Sequence, residues 1–174
     1  GAWEELADVL QRRIKTTMDG EVLVDLEMRL AAAYEQWLAN PEAAIAAYNR
    51  AIDIDANNIK ALERLEALYL SAQRWQDLYN TYEKMSSIAN TDDDTAACYQ
   101  RMAKLAAEAL GRESDAVDLW IKVIDFRGED ALALGELAAL GTALCWTATA
   151  LFFAVAGLRI GSLVVNVLRL VMVL

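Results

Sequence analysis

The stretch from Arg29 to Tyr69, RLAAAYEQWLANPEAAIAAYNRAIDIDANNIKALERLEALY, returns 72 residues later at residues 101–140 without a gap. Leu30 meets Met102, Leu38 meets Leu110, Ala44 meets Ala116 and Ile45 meets Val117. Tyr48 then meets Trp120, Ile52 meets Ile124, and Leu62, Leu65 and Leu68 meet Leu134, Leu137 and Leu140. The preceding segment follows the same register, AWEEL at 2–6 becoming RWQDL at 74–78. A gapless repeat whose apolar positions coincide implies a stacked helical array, because one unit cannot bury its hydrophobic face alone.

Composition agrees with helix. One proline and eight glycines in 174 residues leave little material for strands and tight turns. The net charge of −10 is unevenly spread: residues 1–136 hold all 26 acidic side chains, whereas 137–174 hold two arginines and no acid. The acidic part would repel a polyanion, so nucleic acid is not an expected partner. The absence of histidine removes the commonest general base and metal ligand. Cys98 and Cys145 do not form a disulfide framework, and Cys98, on a predicted helix, reads as a packed apolar residue. No partnered nucleophile and no glycine-rich phosphate loop emerges, so neither catalysis nor a cofactor is expected.

Helical periodicity then places the elements. Trp3, Leu6, Val9, Leu10 and Ile14 share one face of a helix over 3–17, and Thr16–Gly20 supplies the break. A helix over about 22–38 carries Leu23, Leu26, Leu30, Ala33 and Tyr34 inward. Asn40 caps the next helix, with Pro41 at its first position, and that helix ends near Asp55. Asn57 and Asn58 turn the chain into a helix over 59–71, and Trp75, Leu78, Tyr79, Tyr82 and Met85 mark the one after it. Asn90–Thr95 reads as a polar turn. Its run Asp92–Asp94 lacks the spacing, glycine and distal glutamate of a calcium loop and fits a solvated helix start. Helices over about 96–110, 114–126 and from 130 onward complete the pattern.

Alternating helices with a period near 36 residues and aromatics in fixed places resemble the tetratricopeptide repeat (TPR) family. Ala44, Tyr48 and Ala51 match that family's second-helix pattern, with Ala56 where its proline stands. Ala116 and Trp120 match again, with Val123 replacing an alanine, and Leu78, Tyr82 and Met85 match loosely. Ala31 and Ala103 fit the small first-helix site, whereas Glu66 departs from it. The resemblance covers about residues 3–141. It implies an all-α, right-handed solenoid of antiparallel helix pairs whose first helices line a groove. The opening helix is of the second type, which suggests a piece of a longer array or a neighbouring subunit covering it.

Aligning the first helices puts Arg29, Arg64 and Arg101 at one equivalent position, with Lys60 and Lys104 on the same general face. Such a column suits a peptide carboxylate, since guanidinium binds it bidentately. The competing reading pairs these arginines with Glu27, Glu63, Glu66 or Glu108. The asparagine and lysine set of the family's carboxylate-clamp type is not found.

After Glu136 the chain changes character. Leu137–Leu158 is a run of 22 uncharged residues, long enough to span a bilayer. Arg159, Ser162, Asn166 and Arg169 then recur at helical spacing. Trp146 falls one residue short of the tryptophan position that the repeat predicts at 147. Three readings stay open for this tail: a membrane anchor, a helical segment buried against protein, or an altered continuation of the repeat. The expectation is therefore a repeat array over 1–141 followed by an apolar C-terminal helical segment over 142–174. Its function would be that of a noncatalytic protein- or peptide-binding scaffold, with a membrane-anchored adaptor or a homopolymer subunit as alternatives. The acidic, amphipathic opening is not a signal peptide, which points to a cytoplasmic or membrane-associated chain.

Overall fold

The helices are α1 (Ala2–Thr16), α2 (Gly20–Gln36), α3 (Pro41–Ile54), α4 (Ile59–Ser71), α5 (Trp75–Ile88), α6 (Asp92–Glu108) and α7 (Glu113–Arg127). Residues 131–143 are helical as well. The structure, a computed structural model, describes residues 1–128, 131–143 and 145, and among these every regular element is a helix. The 72-residue echo reappears in the element bounds, since α2 and α6 begin and end 72 residues apart.

Local chemistry accounts for the ends. Ala43 N–H donates to Asn40 Oδ1 at 3.1 Å and Pro41 opens α3, where a missing N–H costs nothing. Ala61 N–H donates to Asn58 Oδ1 at 3.1 Å, starting α4 in the same way. Two starts differ from expectation. Helix α2 begins at Gly20, because Asp19 Oδ1 accepts from Glu21 and Val22 N–H. Helix α6 begins at Asp92, four residues early, because Asp94 N–H donates to Thr91 Oγ1 and three carboxylates sit on the positive end of the helix dipole. The turns after α2, α4 and α6 each pass through the left-handed region, at Ala39 (φ 47°), Gln73 (φ 55°) and Gly111 (φ 63°).

Side-chain pairs between non-consecutive helices define two rows. Arg64 on α4 reaches Glu35 on α2, and Arg101 on α6 reaches Glu66 on α4, which sets α2, α4 and α6 side by side. Arg74 at the start of α5 reaches Glu42 on α3, and Arg112 at the start of α7 reaches Gln76 on α5, which sets α3, α5 and α7 in the second row. The largest helix–helix contacts join sequence neighbours, as in a solenoid. Between the rows lie Leu26, Leu30, Tyr48, Leu62, Leu65, Leu78, Trp120 and Val123, all essentially inaccessible. Each such large apolar side chain contributes roughly 1.5–3 kcal/mol of burial free energy. Ala31, Ala44, Ala51, Ala103 and Ala116 are fully buried.

Three further departures have physical reasons. Val9, expected inward, is 58% exposed, because nothing among the described residues covers that side of α1. Glu66, in the small-residue position, is accommodated because Tyr82 Oη–H and Arg101 both donate to its carboxylate. Glu27 is buried, held by a bidentate pair with Arg50 of α3 at 2.8 and 2.9 Å. At the equivalent positions in the second half, Lys122 lies 5.2 Å from the centroid of the Tyr99 ring, so a cation–π contact replaces the ion pair. Cys98 is buried as expected, and burial pushes its thiol up, away from the reactive thiolate.

The expected apolar segment over 142–174 lies outside the described residues apart from 142, 143 and 145. Among the described residues no helix is long and apolar enough to cross a membrane.

Candidate functional site

Arg29, Arg64 and Arg101 are all exposed, one on each of α2, α4 and α6, while Leu30, Leu65 and Met102 beside them are buried. Each arginine has an acidic neighbour. Arg64 donates through Nε to Glu35 Oε2 at 3.1 Å and through a terminal nitrogen to Glu35 Oε1. Arg101 donates to both Glu66 oxygens at 3.2 and 3.4 Å. Arg29 lies 3.7 Å from Asp25 on its own helix, with both side chains more than half exposed, a geometry that contributes little. Of the partners the sequence suggested, only Glu66 is used. Glu35 holds Arg64, and Glu27 faces α3 instead.

Each of the two inter-helix pairs is joined by a tyrosine from the second row. Tyr48 Oη–H donates to Glu35 Oε2 at 2.9 Å, and Tyr82 Oη–H donates to Glu66 Oε1 at 3.0 Å. Burial first, then the Glu35 carboxylate, pushes the Tyr48 hydroxyl up to about 12. Burial and the Glu66 charge do the same for Tyr82. The hydrogen bond to Glu35 in turn raises Arg64, so its guanidinium stays charged. A Tyr–Glu–Arg unit thus links successive helix pairs twice. The tyrosines were legible as core aromatics, but their hydroxyl partners were not, because Glu35 and Glu66 occupy different positions on their helices.

The remaining basic residues differ in kind. Lys60 is exposed at the start of α4 and Lys104 is half-buried on α6. Among the described residues neither is in an ion pair within 4.0 Å. Because Arg64 and Arg101 are shared with acids, the two lysines are the cations of this row with no acid within 4.0 Å among the described residues.

A second feature was invisible in the sequence. A cleft of about 300 Å³ opens among α3, α4 and α5, floored by Ile52, Leu62 and Leu65. Its polar rim includes Asn49, Tyr69, Arg74, Asp77 and Asn80. Asn49 Nδ2–H donates to Tyr69 Oη at 2.9 Å, and Arg74 Nε–H donates to Asp77 at 2.7 Å. The rim is therefore largely satisfied internally. Among the described residues no cluster of three metal-ligating side chains occurs.

No family model matches the chain and no curated protein matches it. Among solved structures, the crystal structure of MamA matches with a TM-score of 0.51 at 16% identity, over 82% of this chain and 77% of that one. A further crystal structure of MamA gives 0.46 at 14% identity over 80% and 79%, and a MamA RS-1 ArsTM double mutant gives 0.47 at 14% over 81% and 84%. The likeness of the first is one of fold. It agrees with the all-helical, TPR-like architecture that the repeat implied.

Proposed function

We propose that this chain is a noncatalytic protein-interaction scaffold, and that an acidic segment of a partner lies along the row formed by α2, α4 and α6. The residues offered to it are Arg29, Lys60, Arg64, Arg101 and Lys104. The observation that carries the reading is that Lys60 and Lys104 have no ion pair among the described residues, beside arginines whose exposed edges remain open to solvent. A partner carboxylate there gains two uncompensated cations and competes with Glu35 and Glu66 for the guanidinium groups. The TPR-like fold supports the class of function, since such arrays present long surfaces rather than enclosed chemistry.

The test uses a fluorescent oligoglutamate peptide and anisotropy at low salt. Charge reversal at the lysines, Lys60→Glu with Lys104→Glu, leaves the Tyr–Glu–Arg units intact, whereas reversing Arg64 would set an acid against Glu35. Binding should weaken about tenfold and lose most of its salt dependence. Unchanged affinity would remove this row as the site.

A further inference from the structure

Three successive units place a cation at one position of the second row. Tyr48, Tyr82 and Trp120 are equivalent, so Arg50 of α3, Lys84 of α5 and Lys122 of α7, each two residues further on, are equivalent too. In the first row Arg29, Arg64 and Arg101 are equivalent, and Glu27, Leu62 and Tyr99 precede them by two residues. The first unit gives its cation a carboxylate, since Arg50 donates to both Glu27 oxygens at 2.8 and 2.9 Å. The third gives it an aromatic face, with Lys122 5.2 Å from the Tyr99 ring centroid. The middle unit has the cation without the answer. Leu62 is apolar and fully buried, and among the described residues no acid lies within 4.0 Å of Lys84. Leu62 and Lys84 instead both line the cleft of about 300 Å³ among α3, α4 and α5.

We propose that this cleft binds a small organic acid with a compact apolar body, whose carboxylate takes toward Lys84 the part that Glu27 takes toward Arg50. The site goes beyond the basic row of α2, α4 and α6 and does not depend on it.

The rest of the lining fits such a ligand. Ile52, Leu62 and Leu65 supply an apolar floor. Tyr69 is 5% exposed, and its hydroxyl oxygen accepts from Asn49 Nδ2, but its own O–H donates to no acceptor among the described residues. Asn80 Oδ1 accepts from Gln76, which leaves the Asn80 amide N–H groups uncommitted. Tyr69, Asn80 and Lys84 therefore offer donors beside an apolar surface, the combination that a carboxylate on an apolar body requires. Asp77 is the one acid lining the cleft, and Arg74 Nε meets its charge at 2.7 Å. Arg74 also pairs with Glu42, so Lys84 is the cation left for a ligand. Asp77, Asn80, Thr81 and Lys84 share one face of α5 by helical spacing, where α3 has Ala43, Ala46, Ala47 and Arg50. The middle unit thus carries polar side chains where its predecessor carries alanines. The cleft stands at the lower end of the range of small-molecule pockets, about 300–1,000 Å³, which selects a small acid over a long one.

Two-dimensional NMR titration of the full chain with benzoate and 4-methylpentanoate tests this. Both acids should shift resonances around the cleft with one site per chain, and benzamide, the uncharged analogue, should bind at least about tenfold more weakly. Lys84→Met keeps the stem and removes the charge. It should weaken both acids at least about tenfold while leaving thermal unfolding unchanged, because Lys84 is exposed. Leu62→Glu sets the chain's own carboxylate opposite Lys84 and should abolish binding in a protein that circular dichroism shows to be folded; if it does not fold, K84M decides alone. The Lys60→Glu, Lys104→Glu variant should bind both acids as the wild type does, which separates this site from the basic row. The proposal is overturned if neither acid binds, if K84M binds them as the wild type does, or if the K60E/K104E variant loses them. It is equally overturned if benzamide or acetate binds as tightly as benzoate, or if a blocked glutamate, standing for a partner's side chain, binds more tightly than either acid.

Discussion

Replacing Arg50 by alanine isolates the one buried carboxylate among the described residues. The Glu27 side chain is 4% exposed and receives two guanidinium hydrogen bonds, at 2.8 and 2.9 Å. Removing one partner of a buried pair costs about 3–5 kcal/mol, because the other charge is left without compensation. Arg50 itself is 49% exposed, so water can enter the vacated space and rehydrate Glu27. The expected loss is accordingly smaller, about 2 kcal/mol, or about 4–8 °C in Tm for a chain of this size. Urea unfolding followed by far-ultraviolet circular dichroism measures it. The double variant Arg50→Ala with Glu27→Leu should recover most of the loss, since an apolar side chain suits that site once the pair is gone. By contrast, Lys122→Ala removes only a cation–π contact at the equivalent position and should cost about 0.5–1 kcal/mol. An Arg50→Ala variant within about 0.5 kcal/mol of wild type, or a double variant as unstable as the single one, refutes the reasoning.

Alkaline pH should unfold the array through its linking tyrosines. Tyr48 and Tyr82 are raised from 10.0 to about 12, so the native state holds protons that the unfolded chain releases, and their stabilisation is complete below pH 10 and lost as pH rises toward 12. A Tyr48→Phe, Tyr82→Phe variant should lose stability less steeply across that window, and an identical slope in an alkaline unfolding series would contradict it. At the equivalent left-handed turns, Ala39→Gly should stabilise by up to about 1 kcal/mol and Gly111→Ala should destabilise by about 1 kcal/mol. An added Cβ at Gly111 meets nothing within 4 Å, so calorimetry on the pair reads backbone strain alone, and equal signs would exclude it. Leu65→Ala, at a fully buried site, should cost about 3–5 kcal/mol. Its half-buried equivalent Leu137→Ala should cost clearly less in the monomer, and equal losses in dilute urea titrations would argue that residues 131–143 are as well covered as α4.

The sequence alone determined the helices, their order and most of the core, because those depend on short-range chemistry. Asn40 and Asn58 cap where capping side chains must, and Pro41 opens α3. The positions of Leu30, Leu65 and Trp120 follow from 3.6-residue periodicity read twice in one register. The resemblance carried by Ala44, Tyr48 and Ala51 supplied the fold class. Only the tertiary structure decided which charge met which. Arg64 chose Glu35, Glu27 turned to Arg50, and Glu66 entered a small-residue site because Tyr82 and Arg101 were there to bond it. Those choices are set by side chains converging from helices more than ten residues apart in sequence, which no local pattern encodes. The same holds for the exposed face of α1: periodicity marked Val9 as apolar, and only the stack of helices revealed that nothing among the described residues lay against it. A repeat prescribes what each unit must bury, whereas the number and order of units present decide which faces are left uncovered.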